Sequence, residues 1–220
     1  MDIAKQVLLA ILMLILLSVL IPVRAEEAVS PMIVSETANS TEYPALEADI
    51  PVITSEGKSN VKIAGVKSKN KLVRYTIPET LLRADENFLA LMVEAEKYIG
   101  YPYVYGGSKP STGFDCSGFV CWVFRESGVY DTGRLGAKGL YSLCTDVSRD
   151  EARPGDLVFF TKTMGADVKG ITHVGIYVGN DMMLHAGDPV GFADLQSDKW
   201  AKKIYAFGRL PVQQGAQADE

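Results

Sequence analysis

Three side chains in this sequence could do nucleophilic chemistry together: Cys116, His173 and His185. The chain of 220 residues holds three cysteines and only two histidines. A thiol attacks as thiolate and needs a base to become one. Cys116 stands at the head of Gly113–Gly128, a run that reads as one helix. Asp115 is a suitable N-cap, since its short carboxylate can accept from the first free amides. Gly128 is a suitable stop, because glycine enters the left-handed conformation without steric cost. Between them Phe119, Val120, Trp122, Val123 and Phe124 cover most of the circumference, which predicts a buried helix. Free N–H groups and the helix dipole at its first turn predict a thiol pKa below the ordinary ~8.5. Gly118 would keep the approach to Cys116 open. A small buried cysteine is the competing reading, and the helix alone leaves both open.

The histidines narrow the choice. Ile171–Gly179 reads as a strand, Gly179-Asn180-Asp181 as a hairpin turn, and Met182–Gly187 as the next strand. His173 and His185 then lie 12 residues apart on consecutive strands, where their rings can be neighbours on one face. His173 would take the Cys116 proton, and His185 would fix the tautomer and orientation of His173. Both of the chain's histidines fall on strands downstream of a helix-head cysteine, which favours catalysis over coincidence. Cys121 lies five residues beyond Cys116, about 140° round a helix, and is expected in the core. Cys144 is expected as a buried thiol. An odd cysteine count with irregular spacing suggests neither a disulfide framework nor a zinc ribbon. No metal and no cofactor is expected.

The elements that must position these groups follow in order. Leu89, Met92, Val93, Ala95, Glu96 and Ile99 outline an amphipathic helix ending at Gly100. An aromatic segment, Tyr101 to Tyr105, runs into the pair Gly106-Gly107, and a loop from Ser108 to Thr112 leads to the central helix. Leu140 to Cys144 suggests a helical turn. After the turn Arg153-Pro154-Gly155-Asp156 the period changes to that of strands: Asp156–Thr161, Ile171–Gly179, Met182–Gly187 and Ile204–Leu210. A longer loop, 188–201, carries Trp200. Helices first and strands afterwards predict an α+β fold with an antiparallel sheet.

The flanks read differently. Residues 1–25 form an export signal: Lys5, an apolar run from Val7 to Ile21, then small residues around Arg24. Cleavage after Ala25 and retention of residues 7–23 as a membrane anchor are the two outcomes, and both export the rest. Residues 26–84 are expected as a disordered linker or pre-domain arm, 85–211 as the folded domain, and 212–220 as a frayed tail. The formal charge is −5, without a basic block, so nucleic-acid binding is not expected. The protein is expected to be secreted or extracytoplasmic, touching a membrane only through its N-terminal segment.

Five stretches carry a resemblance: Tyr103-Val104-Tyr105-Gly106-Gly107, Phe114-Asp115-Cys116-Ser117-Gly118-Phe119-Val120, Arg153 to Phe160, Thr172-His173-Val174-Gly175-Ile176-Tyr177-Val178-Gly179, and His185-Ala186-Gly187. Together they resemble the NlpC-type papain-like cysteine peptidases of bacterial cell walls. Gly133 to Tyr141 and Tyr205 to Pro211 resemble the version in phage-tail and conjugative-element wall hydrolases. The resemblance implies a papain-like fold, with the nucleophile helix packed on the antiparallel sheet. It implies cleavage of peptidoglycan stem peptides, typically between γ-D-glutamate and the diamino acid. It makes Cys116 the nucleophile, His173 the base and His185 the third residue. Tyr103 aligns with the tyrosine at the oxyanion site, and Asp115 and Ser117 with residues that contact substrate. Asp115 could also cap the helix with one oxygen and leave the other free. Tyr101 and Tyr105 are expected as packing residues. No SH3-like or LysM module is recognisable before the domain, which favours intact wall as substrate. A secretion or conjugation apparatus is a further expected partner. The alternatives are an amidase, acyltransferase or protein protease of the same fold, and a non-catalytic wall-binding component.

Overall fold

A computed structural model describes residues 51–55, 61–63 and 65–212. The expected signal or anchor (1–25), the tail beyond 212 and much of the expected linker lie outside the described residues.

The architecture is α+β. Among the described residues four helices, α1 (Glu79–Leu82), α2 (Glu86–Glu96), α3 (Cys116–Glu126) and α4 (Ala137–Leu143), accompany ten strands. The main sheet contains β5 (Thr145–Val147), β6 (Leu157–Thr161), β7 (Ile171–Gly179), β8 (Met182–Ala186), β9 (Val190–Asp194) and β10 (Ile204–Arg209). Its order is β5-β10-β6-β7-β8-β9, and every pairing is antiparallel. Two small ribbons pair β1 (Lys62–Ile63) with β2 (Val66–Lys67), and β3 (Ser108–Lys109) with β4 (Gly113–Phe114).

The period-two alternation of the strands sorts side chains onto two faces. Leu157, Phe159, Val174, Ile176, Val178, Leu184 and Ala186 join α3 in the main core. Val158, Phe160 and Met183 face the other way, against Trp200 and Phe207. α3 is buried nearly all round, as its sequence predicts, with Phe119, Val120 and Val123 fully covered. It packs on β7 and β8. Asp115 caps it through a 2.6 Å bond from the Gly118 amide, and Gly128 takes the left-handed conformation at φ 75° beyond its end.

The structure departs from the expectations in several places. The 188–201 segment is not all loop: Val190–Asp194 forms β9 and pairs along its whole length with β8. A five-residue strand containing Gly191 and following Pro189 carries little propensity of its own; its pairing with β8 makes it a strand. Ser108–Lys109 and Gly113–Phe114 pair as a ribbon where a plain loop was expected. Leu72–Tyr75, apolar enough at its ends to read as a short strand, forms none. The packed body also reaches upstream of residue 85: Ile53, Ile77 and Leu82 are buried in the main core. Ser55 and Tyr75 exchange hydrogen bonds of 2.8 Å. This arm has few apolar residues; Ile53 and Ile77 are buried in the core and Leu72 and Tyr75 pack against it, while Val52, Val66 and Val73 stay exposed. Tyr105 is 78% exposed and is no packing residue, whereas Tyr101 packs edge-on to Tyr98. Cys121 is buried, and Cys144 is half-buried rather than covered.

Candidate active site

Cys116 occupies the first turn of α3 and is buried. The site forms where two strands part. The registered pairs of β7 and β8 run from Ile176–Leu184 to Gly179–Met182. Val174 lies two residues short of that ladder, and its N–H is directed at the Cys116 thiol. The amides of Cys116 and Ser117 face the sulfur as well. The residue beside Val174 is His173.

His173 and His185 are both buried, and His173 Nε2 lies 2.8 Å from His185 Nδ1. Their rings meet edge to face at 5.0 Å. Only glycine fits around them. A Cβ on Gly175 would stand 2.8 Å from Met183 Sδ and 3.1 Å from His185 Cβ; one on Gly187 would stand 2.7 Å from His185 Cε1. Trp200 completes the enclosure, stacking on His173 at 5.2 Å and meeting His185 edge-on at 5.0 Å. With Nε2 engaged by His185, Nδ1 is the ring nitrogen of His173 that the pair leaves over.

The sign of the thiol shift is opposite to the one expected from the helix head. Burial, then the nearby Asp115 carboxylate, push Cys116 up to about 11 against the pull of the three amides. Desolvation drives His173 down to about 3 and His185 well below its ordinary value, with the Lys199 charge adding to both. The resting groups are therefore a neutral thiol and neutral imidazoles. A stability prediction follows. In the unfolded chain an imidazole binds its proton near pH 6.5, while folded His173 does not until about pH 3. Between those values the unfolded state holds more protons, so stability falls as pH falls. At pH 5 the loss from His173 is about 2 kcal/mol at 1.36 kcal/mol per unit, and His185 shifts in the same direction. The urea midpoint is expected to drop between pH 7 and pH 5, a window above the range where carboxylates titrate. An unchanged midpoint would contradict neutral burial of the pair.

Around the thiol, Tyr103 bridges to Phe114, two residues ahead of Cys116. Burial and the proximity of Cys116 and Asp115 raise the pKa of its hydroxyl, so it remains a donor. Neither oxygen of Asp115 is free. Oδ1 accepts from the Gly118 amide and the Ser117 hydroxyl, and Oδ2 from Arg134 Nη2 at 2.8 Å. Arg134 also donates to Ser117 Oγ at 3.1 Å and to the Leu135 carbonyl. Arg134 was missed from the sequence, where it is one cation in a glycine-broken stretch; only the fold carries it to the head of α3. Trp200 was missed for a similar reason, since no spacing linked it to the histidines. Gly118 serves close packing more than open access: a Cβ there would overlap the Gly107 carbonyl oxygen and stand 3.0 Å from Ser108 Cα. Among the described residues no cluster of three or more His, Cys, Asp or Glu is placed to hold a metal.

A helix-head cysteine beside a strand-borne histidine pair defines the papain-like class of thiol site. Comparison with known proteins places the chain within that class. It belongs to the NlpC/P60 family, whose model matches residues 100–209. It is 46% identical over 121 residues to the bifunctional muramidase/DL-endopeptidase CwlT of Bacillus subtilis, covering 54% of this chain and 36% of that protein. It is 40% identical over 120 residues to the gamma-DL-glutamyl hydrolase of the same organism, covering 53% of this chain and 28% of that protein. Among solved structures, a Staphylococcus aureus protein described as similar to lipoprotein, NLP/P60 family, is 41% identical with a TM-score of 0.54. That match covers 57% of this chain and 42% of the other. The matched region thus spans well under half of each relative.

Proposed function

We propose that this protein is an extracytoplasmic cysteine endopeptidase that cuts peptidoglycan stem peptides between γ-D-glutamate and the diamino acid. The observation that supports the reading is the Cys116 thiol at the head of α3, met by the amide of Val174, whose chain neighbour His173 is paired with His185. The relatives' names, DL-endopeptidase and gamma-DL-glutamyl hydrolase, support the choice of bond.

The chemistry runs through this chain's own groups. For His173 Nδ1 to accept the thiol proton, the ring must carry its hydrogen on Nε2 and donate it to His185 Nδ1. Sulfur then bonds to the γ-carbonyl carbon of D-glutamate while the carbonyl π pair moves onto oxygen. The Tyr103 hydroxyl and the Cys116 amide are the donors for that oxyanion. As the intermediate collapses, the C–N bond breaks and the proton on His173 Nδ1 passes to the departing amine. A water, deprotonated by His173, then cleaves the thioester. Asp115 and Ser117 act through the bonds that hold Arg134. A γ-linked D-glutamate leaves its α-carboxylate free, and Arg134, with 42% of its side chain exposed, is the cation placed to meet it.

The test is incubation of purified protein with defined muropeptides and mass spectrometry of the products. Fragments ending in γ-D-glutamate, with a new amine on the diamino acid, are expected. Release of intact stem peptides from muramic acid would indicate an amidase instead, and no cleavage a binding role.

A further inference from the structure

Charge is unevenly spread along this chain. Residues 79–212 carry fourteen Lys and Arg against seventeen Asp and Glu. Residues 61–78 carry five cations, Lys62, Lys67, Lys69, Lys71 and Arg74, and no Asp or Glu. Polar and apolar residues separate them, so no contiguous basic block marks them in the sequence. All five are exposed, and none forms an ion pair among the described residues. Two of them stand abreast: Lys62 on β1 and Lys67 on β2 are registered partners. Like charges directly opposite on a ribbon destabilise it, and an anion laid across the pair would reverse that effect.

The arm that carries these cations is held in one place. Ile53 and Ile77, at its two roots, are buried in the main core. Between them Leu72 packs on Gly191 of β9, where a Cβ would stand 2.8 Å from Leu72 Cδ2. The Lys69 amide donates to Asp188 Oδ2 at 3.3 Å, and Asn70 Nδ2 donates to the Asp188 carbonyl at 2.9 Å. The Lys69 bond uses the backbone and leaves the ammonium available. The arm also passes the candidate active site, since Lys71 and Leu72 line the same groove as His185 and Trp200. It lies outside the 100–209 family match.

A lysine ammonium is a compact point charge on a flexible stem, suited to meeting anions without fixed geometry. The substrate proposed above supplies such anions repeatedly: each γ-linked D-glutamate leaves an α-carboxylate free. The acidic 79–212 region repels a polymer of that kind, and the arm is the region of opposite sign beside the site. We infer that the 61–78 arm is a docking surface for peptidoglycan. It holds the carboxylates of uncut stem peptides while a neighbouring stem enters the site. The choice of polymer rests on the endopeptidase reading above.

The test is cosedimentation of the full chain, as Cys116→Ala, with insoluble peptidoglycan freed of phosphate polymers. The first variant combines Lys62→Gln and Lys67→Gln, which removes a like-charge pair and so should not lower stability. The second adds Lys69→Gln and Arg74→Gln. Binding is expected to weaken about fivefold in the first and at least about tenfold in the second, the usual strength of exposed charge contacts. Added salt should weaken wild-type binding and change that of the second variant little. Converting the carboxylates of the peptidoglycan to neutral amides should match the effect of the second variant. With Cys116 restored, both variants should cut the insoluble polymer more slowly, and a soluble L-Ala-γ-D-Glu-diamino acid tripeptide at the wild-type rate. Binding untouched by the variants or by amidation would overturn the docking surface and leave the endopeptidase reading standing. Arm-dependent binding to anionic phospholipid vesicles or to soluble polyphosphate, with none to peptidoglycan, would overturn it in favour of a membrane or a phosphate polymer. Arm-dependent binding to peptidoglycan with no cleavage of either substrate would overturn the endopeptidase reading and leave the docking surface in place.

Discussion

Cys116→Ala is expected to lower stem-peptide cleavage by about four orders of magnitude or more, while the protein keeps its fold. Removing the nucleophile of a covalent mechanism takes away the whole machinery built around it, not one contact. No other thiol can stand in. Cys121 is turned about 140° away on α3, buried, with Sγ 3.6 Å from the Leu135 carbonyl oxygen. Cys144 sits just past the end of α4, with Sγ 3.3 Å from the Leu140 carbonyl oxygen. Cys121→Ala should therefore keep activity and lose only the stability of a small core change. The measurement is muropeptide release over time, with circular dichroism as the folding control. Iodoacetamide should inactivate the wild type, and EDTA should not. Undiminished release by Cys116→Ala, or loss in EDTA restored by zinc, would rule out the thiol mechanism.

The second large effect separates the two histidines. In the proposed mechanism His173 takes a proton from sulfur and returns it to an amine, and an amide side chain does neither. His173→Asn is expected to lose roughly 10²–10⁴-fold in rate, the usual range for positioned proton transfer. His185 has a lesser task. In the proposed mechanism its Nδ1, 2.8 Å from His173 Nε2, accepts one bond from it and so fixes the tautomer. An asparagine carbonyl can accept that bond, so His185→Asn should keep measurable turnover, whereas His185→Leu should fall close to His173→Asn. Trp200, stacked on His173, helps hold the ring in either variant. The comparison is single-turnover cleavage by the three variants at one pH. An active His173→Asn beside a dead His185→Asn would place the base on β8 and reverse the assignment.

Much of the site was legible before the fold was known, because local rules specify it. An Asx cap, an all-apolar run and a terminal glycine mark α3 whatever it packs against. The apolar, β-branched and aromatic runs of β6, β7 and β10, and the turn before β8, are likewise local. What stayed hidden depended on partners far along the chain. β9 is a strand because β8 pairs with it. Ile53 and Ile77, in a polar stretch, are core residues because they join a cluster built by residues far along the chain. Tyr105 reads as packing from its neighbours, and is exposed.

The sequence by itself determined which atoms could react: a cysteine at a helix head and two histidines on neighbouring strands follow from residue types and short-range spacing. Tertiary structure decided how those atoms behave. The helix head argues for a depressed thiol pKa, but burial and Asp115 outweigh its amides and leave the thiol and both imidazoles neutral at rest. Arg134 on Asp115, Trp200 on His173 and the arm against β9 are likewise decisions of the fold. The physical reason is the same in each case: desolvation and long-range contacts depend on everything that surrounds a group, and a local stretch of sequence contains only its own neighbours.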